Sequence, residues 1–170
     1  MFYPNYIFNK LEGVSMPKLE IYNNKKLILK NVLERKLENL EINLLNLEIN
    51  KFLNLLNTLS VQSFGPLILR NEGVLFSEIG TVSANYNLYI QAHDYKQYKN
   101  QFNVLDEVVV ENCLYTRFEG KPEYLQLAFN KLEIYEYEED IITRGDIYMV
   151  SLEDSEDHIV MDIFKPVKVI

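Results

Sequence analysis

The chain has one cysteine, no tryptophan, two histidines and six glycines among its 170 residues. A lone cysteine, Cys113, excludes an internal disulfide and fits a reducing cytoplasm. Nothing in the spacing brings Cys113 to His93 or His158, so neither a thiol–imidazole pair nor a zinc set is written here. There is no phosphate-cradling glycine run and no Gly-x-Ser-x-Gly elbow. Asp154, Glu156 and Asp157 lack the spaced glycine of a calcium loop. No apolar run approaches the ~20 residues that span a bilayer. No basic region leads into an apolar stretch and a cleavage site at the N-terminus, as a signal peptide would require. These absences point to a cytoplasmic protein with no cofactor, no metal and no membrane partner, and one that is not an enzyme.

Positive charge is also scarce, and it is unevenly placed. Residues 1–100 carry 11 Lys/Arg and 9 Asp/Glu, a net of +2, whereas residues 101–170 carry 6 and 16, a net of −10. The sum, −8, repels phosphate backbones and argues against nucleic acid as a partner. It favours a cationic small molecule or a basic protein. The same charges also serve solubility on a solvated face.

What is present is a chain with 48% hydrophobic residues, enough for one substantial core or two small fused halves. Residues 1–22 show no periodic pattern and read as an irregular arm. Glu12-Gly13 can be encoded by purine-rich codons just ahead of Met16, as a bacterial ribosome-binding site is. Either translation begins at Met16 and residues 1–15 are not native, or the arm is genuine and docks through Tyr6, Ile7 and Phe8.

The periodicity predicts a strand over Leu27–Leu37, with a bulge near Asn31. It predicts a helix over Leu40–Leu59, striped by Leu45, Ile49, Phe52, Leu56 and Leu59 with asparagines on its other side. Ser63-Phe64-Gly65-Pro66 stops that helix. Pro66–Arg70 is a short strand, Asn71–Gly73 a turn, Val74–Val82 further extended chain, and Tyr86–His93 an alternating strand. Asp94–Asn103 reads as a polar link. The order then repeats: a strand over Glu107–Phe118, a helix over Pro122–Leu132 opened by Pro122, an acidic loop over Glu133–Asp140, and strands over Gly145–Glu153 and His158–Val167. The fold class is therefore α+β: a duplicated β-α-β-β unit whose copies pair into one antiparallel sheet with two helices on one face. The single domain spans 23–170, in halves 23–100 and 101–170.

This order, together with the ending Met161-Asp162-Ile163-Phe164-Lys165-Pro166-Val167, resembles the GyrI-like effector-binding domains over about residues 25–168. A second likeness rests on Lys30-Asn31-Val32 and on the leucine-rich helix running into Ser63-Phe64-Gly65-Pro66. It is to a stand-alone branch of that fold found beside type VII secretion toxins, some of whose members act as immunity proteins. The resemblance implies a small-molecule domain in which aromatics and a buried acid meet a cation. Here Tyr148 or Met149 stands where the acid is expected. No helix-turn-helix precedes the domain, so a regulator of that type is not implied.

Two readings follow. One is a stand-alone module holding a small apolar or cationic molecule in a cleft between helices and sheet. The other is an acidic immunity or accessory protein that binds a basic toxin or secretion partner. The candidate ligand-binding residues are Tyr89, Glu111, Tyr115, Tyr148 and Glu153. The tyrosines either stack on a flat cation or serve as ordinary half-buried strand residues. The two acids either face the groove or face water.

Overall fold

The computed structural model describes residues 19–76 and 82–168; the expectations for residues 1–18, and for 77–81 within the Val74–Val82 stretch, lie outside them. The elements are β1 (Ile21–Glu41), α1 (Leu45–Thr58), β2 (Ser63–Phe76), β3 (Val82–Ala92), β4 (Asn103–Gly120), α2 (Gln126–Glu138), β5 (Ile147–Asp154) and β6 (Ile159–Pro166). The fold is α+β, with six antiparallel strands and two helices. The sheet closes on itself in the order β1-β3-β2-β5-β6-β4, which removes the edges that a half-open sheet would expose.

Exchanging β1 with β4, β2 with β5 and β3 with β6 leaves that order unchanged. The registers agree with the exchange. Across β2 and β5, Ile68 faces Val150 and Arg70 faces Tyr148, with Leu69 opposite Met149 between them. Moving β2 by 80 positions turns the first pair into the second and Leu69–Met149 into itself. Across β1 and β4 a step of 81 does the same for the pair Ile28 and Val109. An approximate twofold therefore passes through these two seams.

Matched asparagines mark both long strands. Asn31 and Asn112 take φ of +56° and +51°, a conformation asparagine tolerates better than most residues. Each resets the side-chain alternation by one. Leu29 and Val32, and likewise Val110 and Cys113, consequently face the same cluster. That cluster draws on all six strands and fills the barrel. Two further clusters lie outside it. One packs Phe52 and Leu56 of α1 on Leu33, Leu37, Leu88 and Ile90. The other packs Ala128 and Leu132 of α2 on Leu114, Phe118 and Ile163. Both helices thus cover the outer face, and the apolar stripe of α1 does so where its spacing predicts.

β1 is longer at both ends than the sequence reading, taking in Ile21–Tyr22 from the arm and Leu40–Glu41 from the expected helix, and three further segments differ. Asn71–Gly73 is not a turn but a bulge inside β2. The register with β3 shifts between Asn71 and Val74, Gly73 takes φ +108°, and its N–H donates to Asn71 Oδ1 at 2.8 Å. The link after β3 is not merely polar. It holds one turn of 3-10 helix, Tyr95–Tyr98, and buries Tyr95, Tyr98 and Phe102 in the α1 cluster. The acids from Glu133 do not unwind α2, which continues to Glu138. Tyr135 packs in the second cluster, Glu136 meets Lys165 at 2.5 Å and accepts from Thr143 at 3.1 Å, while Glu133 and Glu138 point to water.

Candidate functional site

A groove of about 690 Å³ lies on the outer face, between α1 and the strands β2, β5 and β6. Its floor follows from the pleat: residues that alternate away from the barrel interior, Leu67 and Leu69 on β2 and Met149 on β5, point outward beneath the helix. Ile49 and Leu53 form the α1 wall, and Met161 of β6 adds a second thioether. The polar lining is Asn46 and Asn50 on the helix and Ser151 and Asp154 on β5. Asp154 is the one charged group in the lining, and it is exposed. Leu69 and Met149 place the groove on the twofold, yet α1 alone supplies its helical wall. Among the described residues no three His, Cys, Asp or Glu side chains come together as a metal would need.

None of the five candidate residues lines this groove. Tyr89 and Tyr148 are buried in the barrel interior, their rings 6.5 Å apart and nearly parallel. Burial pushes both phenols up, Tyr148 to about 12. The Arg70 guanidinium lies 5.4 Å over the Tyr148 ring. It is fixed there by Asp146, which accepts from Nη2 at 2.9 Å and from Nε at 3.1 Å, and by Glu72 at 2.6 Å. The interior tyrosines thus face a cation that the protein supplies itself. Tyr115 sits apart, on β4, donating to Asp162 Oδ1 at 2.8 Å. Its ring lies 4.9 Å from Phe164, and burial followed by the Asp162 bond holds its phenol at about 12. Glu111 is exposed and pairs with Lys26 at 2.5 Å. That hydrogen bond pulls its carboxyl below the usual range. Glu153 is exposed on β5, next to Asp154.

The structure also brings together polar groups that the sequence reading left out. Glu34 is 5% exposed. Its Oε1 accepts from Asn87 Nδ2 at 2.7 Å, and its other oxygen accepts from Asn103. A run of Val32-Leu33-Glu34 in a strand hints at such a buried acid, because an acid flanked by core residues rarely goes unpaired. The groove residues carry a weaker signal. Met149 and Met161 are the only methionines in the second half of the chain, and methionine suits adaptable binding surfaces.

No family model matches the chain, and no curated protein matches it. Among solved structures it is similar to SAV2435 bound to tetraphenylphosphonium, at 14% identity over 89% of this chain and 94% of that one, with a TM-score of 0.47. It is similar to a hydrolase encoded by lin2189 from Listeria innocua, at 11% identity over 89% and 92%, with a TM-score of 0.46. An uncharacterized conserved protein from Listeria innocua matches at 10% identity over 89% and 92%, with a TM-score of 0.49. Identities and scores this low carry no ligand or reaction across to this chain.

Proposed function

We propose that the chain is a non-enzymatic, stand-alone binding protein of the GyrI-like kind, built from the halves 23–100 and 101–170. It holds a small apolar or cationic molecule in the groove between α1 and the sheet. The observation that carries this reading is the groove itself. Its 690 Å³ falls within the range of small-molecule sites. Six apolar and four polar side chains line it, with Asp154 as the single charge. Such a lining suits a bulky apolar body bearing at most one positive charge. Binding rather than turnover fits the polar complement: among the lining residues Ser151 has no histidine or lysine beside it to act as a base.

The test is thermal shift with the monocation tetraphenylphosphonium and its neutral relative triphenylphosphine oxide. A ligand that binds only the folded state at 100 times its Kd stabilises by about 2.7 kcal/mol. Both compounds are expected to raise the melting temperature, the cation more. Asn50→Trp, an exposed position at the rim, is expected to block the groove and abolish both shifts. Asp154→Asn is expected to lower affinity for the cation only, by about two- to fivefold, the range of an exposed charge pair. Equal shifts in wild type and Asn50→Trp would overturn the reading.

A further inference from the structure

The two helices occupy equivalent places in the fold but present different faces to water. Phe52 and Leu56 are the buried residues of α1, and Ala128 and Leu132 those of α2. Counted from these, Lys51 and Thr58 stand in α1 where α2 has Leu127 and Ile134. Leu127 is 40% exposed, Ile134 57% and Tyr137 89%. Spaced by seven and then three positions, the three fall on one side of the helix, opposite the face that packs on β4 and β6. The fold does not require apolar residues at those two positions, since α1 has Lys51 and Thr58 there, although α1 exposes Leu47 elsewhere on its surface.

The surroundings of this stripe are acidic. Glu123, Glu133, Glu138, Glu139 and Asp140 are exposed and form no ion pair within the described residues. The one basic group on the helix, Lys131, has its ammonium turned to the carbonyl of Leu19. An apolar stripe rimmed by free carboxylates discriminates among occupants. A second copy of the chain would bring the same carboxylates against themselves, and an anionic bilayer would be repelled likewise.

We infer that the outer face of α2 is a docking surface for a basic polypeptide segment with an apolar stripe of its own, of the kind an amphipathic lysine-rich helix presents. Leu127, Ile134 and Tyr137 meet its apolar side chains, and the flanking acids meet its lysines. This surface is separate from the groove, whose lining includes no residue of α2.

The probe is a fluorescein-labelled helical peptide of lysine and leucine, with leucine at helical spacing, followed by anisotropy against the full chain. A glutamate-and-leucine peptide of the same pattern is the control. The lysine peptide is expected to bind and to weaken with added salt, while the glutamate peptide does not bind. The variant Leu127→Ser/Ile134→Ser/Tyr137→Ser, confined to exposed positions, is expected to lose at least about tenfold in affinity. Hydrogen exchange with bound peptide is expected to show new protection over residues 126–142. Unchanged affinity in the variant would overturn the inference, because net charge alone would then explain binding. Protection confined to other strands would also overturn it. So would a dimer in sedimentation velocity that the triple variant dissolves, which would make a second copy the occupant. Binding by a chain that starts at Met16 but not by the full chain would overturn it too, since residues 1–15 would then be the occupant.

Discussion

Leu69 and Met149 face each other across β2 and β5, at the one pair on that seam that the twofold maps onto itself. Both side chains point away from the barrel and form part of the floor of the groove. The seam that joins the two halves thus also underlies the candidate binding site. Each half contributes one floor strand, and neither half alone would complete it.

The first consequence concerns the α1 wall. Phe52 is fully buried, with its ring 5.6 Å from Phe102 and nearly perpendicular to it. Its truncation, Phe52→Ala, should cost about 3–5 kcal/mol in urea unfolding, the usual range for a large buried ring. Because Phe52 anchors the helix that carries Ile49 and Leu53, ligand stabilisation should fall as well. A loss below about 1 kcal/mol would mean that α1 is not held by this contact.

Arg70 and Asp146 tie β2 to β5 at one end of the seam. Removing the acid in Asp146→Ala leaves a guanidinium over the Tyr148 ring with Glu72 as its remaining partner. Fully buried pairs broken in this way cost about 3–5 kcal/mol. Arg70 keeps some contact with water, so about 2 kcal/mol is expected here, read by urea unfolding. Arg70→Met/Asp146→Leu should recover much of the loss, since it leaves no buried charge unpaired; Glu72 and Arg144, which each lose a partner, reach water.

The phenols set the alkaline limit. Tyr115 and Tyr148 are raised from 10 to about 12 in the folded protein, and Tyr89 is raised too, each chiefly by burial. A phenol whose folded pKa exceeds its unfolded one binds its proton more tightly when folded. The stability it contributes is complete below pH 10 and is lost as pH climbs toward 12. Chemical denaturation should show a plateau up to about pH 10 and a decline above it. The phenolate signals of these three tyrosines should rise late and together with unfolding. Early, independent titration of these three tyrosines would contradict their placement.

Cys113 gives a simpler check. Its side chain is buried among the barrel residues, and burial pushes the thiol up to about 11. The thiolate is the reactive form, so iodoacetamide at pH 8 should leave the native protein unlabelled and label it in denaturant. Rapid native labelling would mean that the interior is open.

Much of this was legible in the sequence, for identifiable reasons. The stripe Leu45, Ile49, Phe52, Leu56 has a period that only a helix satisfies, and it lies on a sheet as such stripes do. The order of elements recurred, and the registers show the symmetry that the recurrence implied. The bulge at Asn71–Gly73 was hidden because a glycine of positive φ looks the same in a turn as in a bulge. The end of α2 was hidden because acids repel one another in an isolated helix, whereas here Tyr135 and Glu136 have partners on the barrel. The groove was the hardest to see. Tyr86, Leu88 and Ile90 alternate with Asn87, Tyr89 and Gln91, but in a closed barrel covered by helices both sets lose contact with water. Alternation then separates the two faces without saying which is inside. That is why Tyr89 and Tyr148 fall on the interior side while Met149, one residue from Tyr148, faces the groove.

The most direct measurement follows the methionines. Met149 and Met161 line the groove, and the other two methionines of the chain are Met1 and Met16, outside the described residues. With the methionine methyl groups labelled with carbon-13, tetraphenylphosphonium is titrated in and followed by NMR. Ring currents from a bound phenyl group should move the Met149 and Met161 methyl signals together along one saturating curve, and Asn50→Trp should abolish the change. If both signals stay in place while the cation stabilises the protein, the ligand sits elsewhere and the groove is not the binding site.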